Sequence, residues 1–266
     1  MRLKAIVWNM QPKPANWNLL KEWQELGGTD IAILCEAPPA PTGVEAVGRG
    51  STEGLEVALA SDQTVKRPWS TAIASSRPMA PITDARVDRY YGKPLPFEPS
   101  RPGTWTAASI NVDGMKVTAI SLYRLMDERS DASVHRSLSE LSPIFDHEEY
   151  GKRLLLGGDL NILAGRPAGA HLDRHQVVLA RIKAYGLTDC LERERPHGPL
   201  ENCPCGLDED CIHTWTKLDS ERPTIPYQDD YLFASHAVDD LESCKALPFT
   251  EHSPSDHTPI VATFEV

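Results

Sequence analysis

Short apolar runs that each stop on a polar or acidic residue constrain this chain most. "AIVW" runs into Asn9, "IAILC" into Glu36, "VTAISL" into Tyr123 and "LLLGG" into Asp159. Continuous apolar runs of this length read as strands buried on both faces, and such strands belong to α/β architectures. The last case is the sharpest. In "RLLLGGDLN", residues 153–161, Asp159 and Asn161 stand two apart, and strand periodicity predicts that both point to the same side. Gly157-Gly158 is expected to let the backbone approach whatever the pair serves.

Strand and helix patterns alternate along all 266 residues. Strands are predicted over 3–8, 30–36, around 55–60, 70–76, 104–112 and 115–122, then at "RLLLGGD", 230–235 and 259–266. Helices are predicted over 16–26, 133–149 and 174–186. Asn16 and Asp173 are the expected caps, and Gly27-Gly28 and Gly186 the expected stops. "YYGKPLPFEPSRPG" (90–103) reads as a Pro-rich loop. Both hairpin-length and helix-length connections occur, which favours an α/β sandwich over a simple doubly wound sheet. No linker divides the sequence, so a single domain over 1–266 is expected.

The formal net charge is −11. A broad DNA-coating surface is therefore not expected, because like charge repels a phosphate backbone. A nuclease is not excluded, since a metal held by carboxylates reverses the local sign. No apolar run is long enough to span a membrane. The start, "MRLKAIVWNMQPKP", has no signal-peptide core and reads as the first strand of a cytoplasmic protein.

Six separate strand ends supply polar groups: Asn9, Glu36, Tyr123, Asp159 with Asn161, Asp230, and Asp256 with His257. Ligands in α/β folds gather beyond strand ends. Each residue alone reads equally well as a turn or cap. Their joint occurrence is not something core packing requires.

These residues carry a resemblance. "WN" at 8–9, "ILCE" at 33–36, "SLY" at 121–123, "GGDLN" at 157–161, "DDYLF" at 229–233 and "SDH" at 255–257 resemble the endonuclease/exonuclease/phosphatase superfamily. The resemblance runs from residue 3 to 265. It implies a four-layer, DNase I-like α/β sandwich of two packed mixed sheets with helices on the outer faces. It implies a phosphoesterase dependent on Mg²⁺ or Mn²⁺, most simply a nuclease on DNA or RNA. By resemblance Glu36 is the metal ligand, with Asp256 and Asn9 beside it. Asp159 orients or deprotonates the attacking water, and Asn161 donates to a phosphate oxygen. His257 contacts the scissile phosphate or transfers a proton, Asp230 fixes its tautomer, and Tyr123 lies near the phosphate. One departure stands out: relatives often carry Arg where this chain has Gln228. Two acids, Asp229 and Asp230, stand together, and register assigns the role to Asp230. A phosphatase or phosphodiesterase on a small molecule, and a non-catalytic binding module on the same fold, remain as alternatives.

Cys203, Cys205, Cys211 and His213 fall within "ENCPCGLDEDCIHTW". Four soft donors suit structural Zn²⁺, although the spacing is tighter than usual; reduced thiols or a local disulfide are the other readings. Cys35 is expected in the core. Trp17 and Trp23 read as core, and Trp69, Trp105 and Trp215 lie nearer loops.

Overall fold

The computed structural model describes residues 2–48, 55–58, 64–67, 69–86, 92–93, 95–125, 130–162, 172–194, 214–218, 226–238, 240–249 and 254–265. The Cys203, Cys205, Cys211 and His213 cluster lies outside these residues, so the zinc reading stays an expectation.

Strands β1–β16 and helices α1–α4 are numbered in chain order. One six-stranded sheet runs β15 (Asp240–Ala246), β16 (Ile260–Glu265), β1 (Arg2–Asn9), β2 (Ile31–Ala37), β6 (Ser70–Ser75) and β3 (Ala46–Val47). The other runs β11 (Leu187–Asp189), β14 (Asp230–Ser235), β10 (Leu154–Asp159), β9 (Met115–Leu122), β8 (Trp105–Val112) and β7 (Met79–Pro81). Two hairpin pairs, β4 (Leu55–Ala58) with β5 (Thr64–Arg67) and β12 (Lys217–Leu218) with β13 (Pro226–Tyr227), lie outside the main sheets. The helices are α1 (Asn16–Gly27), α2 (Ser130–Phe145), α3 (Leu172–Ala184) and α4 (Cys190–Glu194).

Each large sheet contains one parallel pair, β1 with β2 and β9 with β10, and its other pairings are antiparallel. Each parallel pair is joined through a helix, α1 in the first sheet and α2 in the second, as a parallel connection requires.

Side-chain alternation builds the layers. Leu3, Ala5 and Val7 of β1 pack with Val117 and Ala119 of β9 and Leu155 of β10 in the cluster between the sheets. The intervening Ile6 and Trp8 pack with Trp17 and Leu20 of α1. On the far side, Ile120, Leu122, Leu154 and Leu156 pack with Leu138 and Leu141 of α2 and Val178 and Ile182 of α3. Helix, sheet, sheet and helices therefore form four layers. Each fully buried leucine stabilises this arrangement by about 1.5–3 kcal/mol.

Some local expectations change. α2 ends at Phe145 rather than 149, and it holds Pro143. Proline cannot donate to the carbonyl four residues back, and Ser142 Oγ supplies Ser139 O with a donor instead, at 2.9 Å. Asn16 uses its side-chain amide to donate to Met10 O, tying α1 to the end of β1. β15 was not expected. Cys244 is its one buried residue, so this edge strand carries no apolar run to signal it.

Candidate active site

The parallel pairs of both sheets end at one common edge. Asn9 closes β1 and Asp159 closes β10. Tyr123 follows β9, and Glu36 sits in a bulge near the end of β2, where pairing with β6 shifts between Leu34 and Ala37. Glu36 has φ +47°, a left-handed conformation that is costly for a residue with a Cβ. The bulge re-aims its carboxylate along the strand end.

Hydrogen bonds chain these side chains together. Tyr123 Oη donates to Glu36 Oε1 at 3.0 Å, and Asn9 Nδ2 donates to the same oxygen at 3.1 Å. Asn9 Nδ2 also reaches Asp159 Oδ2 at 2.9 Å, so one amide bridges the two sheets. Asp159 Oδ1 accepts from Asn161 twice, from the backbone N–H at 3.0 Å and from Nδ2 at 2.8 Å. Asn161 is thus near Asp159 because it turns back with φ +46°, not because a strand continues through it. The expectation from strand periodicity is corrected: β10 ends at Asp159, and an Asx-type turn makes the pair.

Asp159 and Asp230 are direct partners across β10 and β14. His257 Nδ1 lies 2.7 Å from Asp230 Oδ2, which assigns the histidine's partner to Asp230 rather than Asp229. Its Nε2 stands 3.8 Å from both Asp159 Oδ2 and Asp256 Oδ1. Burial opposes the charged imidazolium, but Asp230 and Asp159 outweigh it and raise its pKa to about 9. Tyr123 is pushed up by burial and then by Glu36, so it remains a neutral donor.

All eight polar residues singled out above meet at this edge. Others join them that no sequence signal marked. Cys35 is core, as expected, but its Sγ also accepts the Asp159 backbone N–H at 3.3 Å. Sheet packing also requires Gly157 and Gly158. A Cβ on Gly157 would come 2.6 Å from Val7 Cγ2, and one on Gly158 2.0 Å from Leu122 O. Ser255 Oγ donates to Asn9 O at 2.8 Å and accepts the His257 N–H at 3.1 Å, which locks the "SDH" loop onto β1. Gln11 Nε2 holds Asp256 Oδ1 at 2.5 Å. Thr216 Oγ1 accepts the backbone N–H groups of Asp229 and Asp230. Gln228 is buried, and its Oε1 accepts the Thr214 N–H at 3.2 Å, away from the acids.

Two cations border the acids. Burial lowers the pKa of the Arg124 guanidinium against the pull of Asp159 and Asp229. Lys217 Nζ stands 3.7 Å from Asp229 Oδ2. Burial pushes Asp229 up to about 7, with Asp159 adding to the effect and Lys217 opposing it.

The donor set fits a hard divalent cation. Mg²⁺ and Mn²⁺ take oxygen ligands and retain water, so a ligand carboxylate must reach solvent. Glu36 and Asp256 are half-buried and do so. Glu36 Oε2 has no hydrogen bond among the described residues, because Asn9 and Tyr123 both donate to Oε1. Asp159, Asp230 and His257 also bring ligand atoms within 4.8 Å of one another, but all three are buried and already bound to each other or to asparagine amides.

No family model and no curated protein matches the sequence. Solved structures do match the fold. An AP endonuclease from Archaeoglobus fulgidus aligns with TM-score 0.65 and 18% identity over 99% of this chain and 100% of that one. A 3′-5′ exonuclease from Neisseria meningitidis gives 0.58 and 17% over 99% and 100%. An endonuclease/exonuclease/phosphatase from Beutenbergia cavernae gives 0.59 and 15% over 100% of this chain and 72% of that one. The architecture is the four-layer DNase I-like α/β sandwich that these structures share. Identities this low carry the architecture and no more.

Proposed function

We propose that the protein is a divalent-metal-dependent phosphodiesterase whose substrate is DNA or RNA. The observation that supports this most is the unbroken network from Tyr123 through Glu36, Asn9 and Asp159 to Asn161, with the His257–Asp230 pair beside it. Structural stability does not call for so many buried or half-buried acids at one edge, whereas phosphoryl chemistry does.

A cation bound at Glu36 and Asp256 would neutralise charge on a phosphate oxygen. The chain's own groups do the rest. Asp159, fixed through both oxygens, orients the attacking water and accepts its proton. Asn161 keeps a second amide hydrogen for a non-bridging oxygen. His257 is charged at neutral pH and faces the same space through Nε2, where it donates to the phosphate. Asp230 holds Nδ1 and thereby sets the ring's orientation. Asn9 bridges Glu36 and Asp159 and fixes the distance between the metal side and the base side of the site. The structural neighbours that are an AP endonuclease and a 3′-5′ exonuclease support nucleic acid as the substrate class.

The test is hydrolysis of labelled single- and double-stranded DNA, abasic DNA, RNA and a set of small phosphodiesters and phosphomonoesters. Each is run with Mg²⁺, Mn²⁺ or EDTA. Cleavage of nucleic acid that EDTA and Asp159→Ala both abolish is expected. Cleavage confined to small esters moves the substrate assignment, and no cleavage by a folded protein with bound metal overturns the catalytic reading.

A further inference from the structure

We propose that Lys217 is a catalytic residue whose ammonium contacts a non-bridging oxygen of the substrate phosphate. The inference rests on the phosphodiesterase reading and adds a residue to it.

Lys217 lies opposite His257 in an isolated antiparallel bridge. Residues directly opposed in such a pair project their side chains to the same face. Two flanking bonds fix the strap: Leu218 N–H to Asp256 O and Thr258 N–H to Thr216 O, both 2.8 Å. The residue is therefore held against the loop that carries the histidine, and its backbone has little freedom to drift.

Among the described residues the ammonium itself is not saturated. Its distance of 3.7 Å from Asp229 Oδ2 is an ion pair and too long for a hydrogen bond. Among the described residues Nζ makes no hydrogen bond, and 27% of the side chain remains open to solvent. Lysine carries three donors, so among the described residues the site presents a directed cation with donors to spare. Asp159, Asp229, Asp256 and Asp230 all favour its charge and outweigh the burial that opposes it.

A purely structural reading would make Lys217 the countercharge of Asp229. The geometry argues against that as its full role. Their 3.7 Å separation leaves no hydrogen bond between them, so the pair is loose. Arg124 also borders the acids, but Lys217 is the cation held directly opposite His257.

The experiment uses the full chain with Mn²⁺ and two probes: inorganic phosphate for binding and bis(p-nitrophenyl) phosphate for turnover. Lys217→Met should weaken phosphate binding at least about tenfold and lower kcat by about 10²–10³, the usual loss for one donor to a developing oxyanion. Lys217→Arg should keep most of both. Lys217→Met combined with Asp229→Asn should behave like Lys217→Met alone. Wild-type behaviour in Lys217→Met, recovery in the double variant, or a wild-type protein that binds no phosphate each overturns the proposal. Phosphate binding that needs Lys217 in a protein that cleaves no ester overturns the phosphodiesterase reading instead.

Discussion

Asp159 and Asp230 stand directly opposite each other across β10 and β14, and neither is accessible to water. Like charges so placed repel. His257 resolves the conflict, with Nδ1 on Asp230 at 2.7 Å and Nε2 facing Asp159 at 3.8 Å. Removing the histidine leaves two buried acids without their cation. His257→Ala should cost about 3–5 kcal/mol of stability, the usual loss when one partner of a buried pair is deleted. Asp230→Asn added to it should recover part of that loss. Urea midpoints of the two variants measured together decide this, and an unshifted midpoint for His257→Ala would sink the account.

Cation binding should be readable without any substrate. A ligand that binds the folded state at a hundred times its Kd stabilises by about 2.7 kcal/mol. Mg²⁺ or Mn²⁺ should raise Tm of the wild-type protein. In Glu36→Gln most of that rise should vanish, because the remaining amide oxygen is a weaker ligand. An undiminished rise would place the cation elsewhere.

Gly158 should not accept a side chain. Its φ is +141°, and a Cβ would come 2.0 Å from the Leu122 carbonyl and 2.9 Å from Cys35 Sγ. Backbone oxygen cannot rotate away. Gly158→Ala should lose more than about 3 kcal/mol, combining strain with overpacking. Gly157→Ala, which meets the movable methyls of Val7, should lose less. Reversed order in thermal melts would overturn this reading.

A pH effect is expected away from the site. Asp189 is buried and caps α4 by accepting from Leu191 N–H at 3.0 Å. Burial raises its pKa from 3.8 to about 7, so the fold favours the protonated form. Its favourable contribution is complete below pH 4 and is lost as pH rises toward 7. Asp189→Asn keeps the cap and removes the titration. The variant should match the wild type near pH 4 and exceed it by about 3–5 kcal/mol above pH 7. Parallel stability curves between pH 4 and 8 would refute it.

Four of the residues that announced themselves in the sequence share one property: each stands at the end of a continuous apolar strand. β1, β2, β9 and β10 are buried on both faces, so the first polar residue after each run marks the sheet edge. That is why Asn9, Glu36, Tyr123 and Asp159 were legible together. Gln11, Thr216 and Lys217 were not, because they act from loops and a two-residue strap whose position depends on contacts with residues far along the chain. β15 escaped for the complementary reason: a strand at a solvated edge carries one buried side chain and no pattern. The Asx turn at Asn161 was misread as strand because sequence spacing alone cannot distinguish a strand's two-residue repeat from a turn that folds back.

The lock between Ser255 and Asn9 spans 246 positions in sequence. Such a contact cannot form until β16 has zipped onto β1, and closing so long a loop is slow. Completion of this edge is therefore a late event in folding. Glu36 and His257 belong to the first sheet and Asp159 and Asp230 to the second, so a chain with only one sheet formed holds half of the polar set that meets at this edge. On the proposed phosphodiesterase reading, assembly order itself keeps an unfinished molecule harmless to whatever phosphate bonds surround it.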